Sequence, residues 1–127
     1  MKEKRQATCQ ERVEENLEGR LNDFREFLGC DDLETEDLGP IHEYGLCVDY
    51  VESEDKEDGY IRYQLSTGGP GDEFRYFIDY EGKPYKIEYW FLDWFDGAKI
   101  TLSGEDEELM MEIWEICYLE SALPERQ

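Results

Sequence analysis

The apolar positions near the start of the chain recur every three or four residues, which is the spacing of one face of an α-helix. They predict a helix over about residues 8–28 that ends at Gly29, with the stripe Cys9, Val13, Leu17, Leu21, Phe24 and Leu28. A second stripe follows Ser103 and consists of Leu109, Met110, Ile113, Trp114, Ile116 and Cys117. Ser103 and Asp106 have the spacing of a capping box, which satisfies free N–H groups in a first helical turn. We expect both stripes to face the core.

The middle of the chain alternates apolar and polar residues, which predicts antiparallel strands. Strands are expected over residues 44–51 and 60–66, and the sequence TGGPGDE that follows is typical of a turn. A hairpin is predicted over residues 74–91, with Glu81-Gly82 as a two-residue turn that fixes its register. Tyr80 then faces Lys83, and the expected pairs are Phe74 with Tyr89, Tyr76 with Ile87, Ile78 with Tyr85, Arg75 with Glu88, and Phe77 with Lys86.

The two faces of this hairpin differ in chemistry. One holds aromatic pairs and the other an opposite-charge pair, which suits a half-buried sheet. The register puts Tyr89 in the core and Trp90 on the opposite face, where we expect a helix to cover it together with Phe77. The chain is therefore predicted to form one α+β domain over residues 1–127: an N-terminal helix, a three- to four-stranded antiparallel sheet and a C-terminal helix.

Charge makes this more than a generic domain. The formal net charge is −21, and it is concentrated in two blocks. Residues 31–58 hold twelve acids against Lys56 alone, and residues 103–127 hold eight acids against Arg126. Such blocks repel nucleic acid and speed association with basic partners. The predicted partner-binding acids are Asp31, Asp32, Glu34, Glu36 and Asp37 in one loop, Glu54, Asp55, Glu57 and Asp58 in a second, and Glu105, Glu108, Glu112 and Glu115 on the second helix.

Trp94 is the remaining candidate for partner binding. It lies between Asp93 and Asp96, next to a predicted turn at Asp96-Gly97. An exposed tryptophan in a charged rim would be an anchor for a partner, and its truncation would weaken binding. A buried one would instead contribute to the core, and the sequence leaves both interpretations open.

The composition offers few residues for catalysis or cofactor binding. His42 is the only histidine, and no serine or cysteine lies in a nucleophile elbow. The four cysteines are scattered without a CxxC pair, which favours packing thiols over a zinc or redox site. EDKEDG lacks the alternating ligands of a calcium loop. We expect no enzymatic activity, no metal and no cofactor.

Two long blocks of sequence resemble a known group. "GYIRYQLSTGGPGDEFRYFIDY" and "KIEYWFLDWFDGAKITLSGEDEEL" are similar to a family of small acidic proteins carried on plasmids and other mobile elements, over about residues 44–115. Members of that sort resemble anti-CRISPR proteins in size and charge. The resemblance implies an inhibitor that mimics DNA and occupies the basic groove of a type II CRISPR nuclease with its guide RNA. It brings no catalytic residues.

Two other functions fit the same composition. An immunity or antitoxin protein that neutralises a basic nuclease toxin would carry the same charge, and a housekeeping domain could use it only for solubility. A neighbouring toxin gene would favour the former, and neighbouring anti-defence genes would favour the anti-CRISPR reading. Direct DNA binding is not expected, because DNA affinity depends on lysine and arginine. The chain shows neither a signal peptide nor a membrane span, so we expect it in the cytoplasm of a bacterial host.

Overall fold

The computed structural model describes residues 9–52, 59–67, 70–93 and 96–124. Helix α1 begins the described chain, a small hairpin and a five-stranded sheet follow, and helix α2 comes near the end. The elements in order are α1 (Cys9–Leu28), β1 (Glu34–Thr35), β2 (Gly39–Pro40), a 3₁₀ turn (Ile41–Glu43), β3 (Cys47–Val51), β4 (Tyr60–Ser66), β5 (Gly71–Ile78), β6 (Pro84–Asp93), β7 (Asp96–Thr101), α2 (Gly104–Ile116) and a second 3₁₀ turn (Leu119–Ala122).

The main sheet is an antiparallel meander in the order β3-β4-β5-β6-β7. The α+β class is confirmed, but the predicted count of three to four strands is too low, since five strands pair in this sheet. The strand that the sequence did not reveal is β7, whose residues DGAKIT contain a single large apolar side chain. It is identified by its pairing with β6, where Tyr89 faces Ile100 and Phe91 faces Ala98.

The central hairpin has the predicted register over most of its length. Four predicted pairs are confirmed: Phe74 with Tyr89, Arg75 with Glu88, Tyr76 with Ile87, and Phe77 with Lys86. The predicted turn is wrong, because Ile78 pairs with Pro84 rather than Tyr85. The loop is longer than two residues: the Asp79 N–H donates to the Lys83 carbonyl at 2.9 Å, and Gly82 has φ 83°. A bulge after Phe77 absorbs the extra residue and preserves the register beyond it.

The apolar stripes of both helices pack on the same face of the sheet. The stripe of α1 is confirmed, with Val13, Leu17, Leu21 and Phe24 all buried, and Phe27 joins it. Trp114 of α2 packs against Tyr76 with ring centroids 5.1 Å apart, and the Tyr76 hydroxyl donates to the Met110 carbonyl at 2.8 Å. This arrangement leaves the opposite face of the sheet without a helix in the described part of the chain. The expectation that a helix covers Trp90 is therefore wrong.

Helix α2 begins where the sequence predicts, but the predicted capping box does not form. Ser103 is the N-cap residue in extended conformation, and its side chain makes no capping hydrogen bond. Asp106 instead accepts a hydrogen bond from Arg25 of α1 at 3.1 Å. This contact ties the first turn of α2 to the last turn of α1. Among the described residues, no helix is long and apolar enough to cross a membrane.

Candidate functional site

Helix α2 presents a row of four carboxylates to solvent, which we call the α2 acidic row: Glu105, Glu108, Glu112 and Glu115. The spacings of three and four residues put them on one helix face, opposite the buried Met110, Ile113 and Trp114. The row extends about 15 Å at a rise of ~1.5 Å per residue. Within the described chain none of the four forms an ion pair. The predicted exposed stripe is confirmed as a structural feature.

The α2 acidic row reduces the stability of the helix that carries it. Like charges three or four residues apart on a helix are destabilising by roughly 0.2–0.5 kcal/mol per pair. Glu112 and Glu115 also lie toward the negative end of the helix dipole, where the last turn contains no basic residue. The fold thus gains nothing from this arrangement, and only cations from outside can relieve the repulsion.

A second acidic segment follows α1 directly and surrounds the β1–β2 hairpin. All five predicted acids of this loop are exposed: Asp31, Asp32, Glu34, Glu36 and Asp37. The loop is held by backbone contacts, since the Ile41 N–H donates to the Leu33 carbonyl at 2.9 Å and the Leu38 N–H to the Thr35 hydroxyl at 2.8 Å. It leads away from the end of α1 that also contacts the first turn of α2. The two acidic segments therefore flank the last turn of α1.

The remaining predicted partner-binding residues lie outside the described residues. They are Glu54, Asp55, Glu57 and Asp58 of the second acidic loop, together with Trp94. The predictions made for these five residues stay predictions.

A buried ion pair fixes α1 to the sheet. Arg20 donates to both carboxylate oxygens of Asp72, at 2.7 and 3.0 Å, and Asp72 is only 4% exposed. The Tyr89 hydroxyl donates to the same carboxylate at 2.6 Å. Arg20 also donates to the Tyr44 hydroxyl, which in turn donates to Asp23. Two helix residues, three strands or loops and one buried carboxylate are joined in this network.

Burial and hydrogen bonding keep the phenols of the network protonated. Burial, and then the hydrogen bond to Asp23, raise the pKa of Tyr44 to about 12. Burial and the hydrogen bond to Asp72 likewise raise the pKa of Tyr89 above its ordinary value. A neutral phenol can donate to a carboxylate, whereas a phenolate cannot, so this network persists through the neutral pH range.

The sequence analysis placed Asp72 and Glu73 in a turn, and this is wrong. Both residues belong to β5 and both are buried. Asp72 points to the helix-covered face with Phe74 and Tyr76, a position that strict alternation along the strand would have indicated. An acid on an apolar face is a signal for a buried basic partner, and Arg20 is the only arginine on the inner side of α1 near its middle.

The opposite face of the sheet is covered by the protein's own cationic side chains. The guanidinium carbon of Arg75 lies 4.0 Å from the centre of the Trp90 ring and 5.0 Å from that of Tyr60. Its Nε donates to the buried Glu73 at 2.7 Å. Arg75 and Glu88 are register partners as predicted, but the ion pair of Arg75 is with Glu73 on its own strand.

Lysines complete this cover. The Trp90 indole N–H donates to Glu88 at 3.0 Å, and Lys99 donates to the other oxygen of that carboxylate at 3.2 Å. The ammonium of Lys86 lies 4.2 Å from the centre of the Phe77 ring. Tyr89 is fully buried and Trp90 half-buried, which confirms the predicted order of their burial. Pairing within the face leaves its cations already bound to rings and carboxylates.

We expect Arg75→Ala to destabilise the fold by about 2–3 kcal/mol. The substitution leaves the buried Glu73 without its cation and uncovers Trp90, and each effect costs on the order of 1–2 kcal/mol. Urea denaturation followed by tryptophan fluorescence measures the change. Lys83→Ala, at an exposed loop position, is the control and should stay within about 0.5 kcal/mol of the parent. Equal stability of the two variants would contradict this account of the open face.

No protein-family model, curated protein or solved structure matches this chain. Among the described residues, no group of three or more His, Cys, Asp or Glu side chains is placed to hold a metal ion. The geometry presents outward carboxylates on one side of the molecule and a self-neutralised face on the other. Charge recognition by the helical side is the chemistry this arrangement supports.

Proposed function

We propose that the protein is a non-enzymatic inhibitor that fills a basic nucleic-acid groove of a partner protein with its own carboxylates. The α2 acidic row is the observation that carries this proposal. It is exposed, it has no cationic partner within the described chain, and it weakens the helix on which it lies. A partner that supplies arginine and lysine side chains converts this repulsion into binding energy.

The density of charge along the row supports nucleic-acid mimicry. One strand of duplex DNA carries one phosphate per ~3.4 Å of helix axis, which is about four to five phosphates in 15 Å. The row places four carboxylates in about the same length. The acidic loop at residues 31–37 adds charge beside one end of the row. A groove shaped for a phosphate backbone therefore meets a similar linear charge.

The partner we propose is a type II CRISPR nuclease loaded with its guide RNA, in the bacterial cytoplasm. The resemblance of the two long sequence blocks to acidic proteins of mobile elements supports this choice. The net charge of −21 adds to it, because an anionic inhibitor is attracted to a cationic channel at long range.

A competition assay tests the proposal. Guide-loaded nuclease and labelled target DNA are mixed with increasing amounts of the protein, and the bound DNA is measured by mobility shift. We expect bound DNA to fall with added protein and the inhibition to weaken as salt rises from 50 to 200 mM, because exposed charges are screened. Undiminished DNA binding at saturating protein would overturn the DNA-mimic function for this nuclease.

A further inference from the structure

A groove of about 350 Å³ runs between α1 and the corner where β7 leads into α2. Its floor is apolar and consists of Leu17, Leu21 and Ile100, and its rim carries the carboxylates of Glu14, Glu18 and Asp106. The groove lies beside the first turn of α2, so it is continuous with the start of the α2 acidic row. Neither the exposed row nor the buried network uses it.

We propose that this groove receives an arginine side chain of the basic partner. The inference rests on the proposed function, because it presumes a partner that presents arginine to the acidic side of the protein. The aliphatic stem of an arginine matches the apolar floor, and its guanidinium can reach two carboxylates at once through its planar fork. Lysine offers a single point charge and fits a two-carboxylate rim less well.

The groove already holds one guanidinium at one end. Arg25 donates to Asp106 at 3.1 Å and to Asn22 at 3.0 Å, across the gap between the two helices. Glu18 and Glu14 lie two and three turns before Arg25 along α1, and neither forms an ion pair within the described chain. The rim thus shows how it binds a guanidinium at the Asp106 end, and it leaves two exposed carboxylates for another at the far end.

N-acetyl-L-arginine amide is a direct probe of this groove. Titration into the protein with methyl-labelled leucine and isoleucine should shift the NMR signals of Leu17, Leu21 and Ile100. N-acetyl-L-norleucine amide, which has a stem without a charge, and guanidinium chloride, which has a charge without a stem, should each bind at least about fivefold more weakly. The lysine analogue should also bind more weakly than the arginine compound.

Paired variants with equal charge changes locate the site. Glu14→Gln with Glu18→Gln should weaken the arginine probe at least about fivefold. Glu15→Gln with Glu26→Gln, at exposed positions of the same helix outside the groove, should leave its affinity unchanged. Equal loss in both pairs, or unshifted methyl signals at saturating probe, would overturn the assignment.

The outcome is separable from that of the nuclease competition. Competition without arginine binding in the groove rejects the groove and leaves the proposed function standing. Arginine binding without competition rejects the nuclease as partner and leaves an arginine-binding groove on the acidic side.

Discussion

Replacing Arg20 by methionine is expected to lower the free energy of unfolding by about 3–5 kcal/mol. The side chain keeps much of its length but loses its charge, so the buried carboxylate of Asp72 remains without a cation. Breaking a buried ion pair by removing one partner costs this much because the other charge stays desolvated. Urea denaturation monitored by tryptophan fluorescence measures the loss.

Two further variants separate the buried charge from the loss of an arginine in general. Arg25→Met removes a cation from an exposed ion pair with Asp106, and it should cost less than about 1 kcal/mol. Asp72→Asn added to Arg20→Met removes the orphaned charge and should recover part of the stability. A double variant as unstable as Arg20→Met alone would show that the unpaired carboxylate is not the cause.

The parts of the fold that follow from local pattern were predictable. The stripes of α1 and α2 and the exposed α2 acidic row depend only on helical spacing, and the structure shows them as predicted. The register of β5 against β6 follows from matching apolar faces, and it held even though the turn between them was wrong. A bulge after Phe77 restored the register that the longer loop would otherwise have shifted.

Long-range arrangement was not predictable from these patterns. Each helix stripe calls for an apolar surface but does not say which face of the sheet provides it, and both helices chose the same one. Trp90 and Phe77 therefore lie on the helix-free face, where Arg75, Lys86 and Lys99 cover them instead. Such cover depends on neighbours from three strands, and no spacing along a single strand reveals it.

The candidate site divides in the same way. The acids of the α2 row are local features of one helix and were named from the sequence. The groove beside them combines Leu17 of α1, Ile100 of β7 and Asp106 of α2, which are up to 89 positions apart in the chain. Strand β7 was not predicted, so the groove could not be predicted either.

Changing Glu108, Glu112 and Glu115 together to glutamine is expected to weaken nuclease binding at least a hundredfold. Each carboxylate that meets a basic groove contributes on the order of 1 kcal/mol, and 1.4 kcal/mol corresponds to a tenfold change in affinity. The same variant should raise the free energy of unfolding by about 1 kcal/mol, because it removes two like-charge pairs and the charges nearest the negative end of the helix dipole. Competition titrations and urea denaturation give the two numbers.

The matched control changes Glu15, Glu26 and Glu81 to glutamine. These three side chains are also exposed, and both triple variants alter the net charge from −21 to −18. Long-range attraction to a cationic groove is therefore reduced by the same amount, while the α2 acidic row stays intact. We expect the control to bind within about threefold of the parent at moderate salt. Equal weakening of both variants would mean that net charge alone drives association, and the α2 row would then have no specific role in the complex.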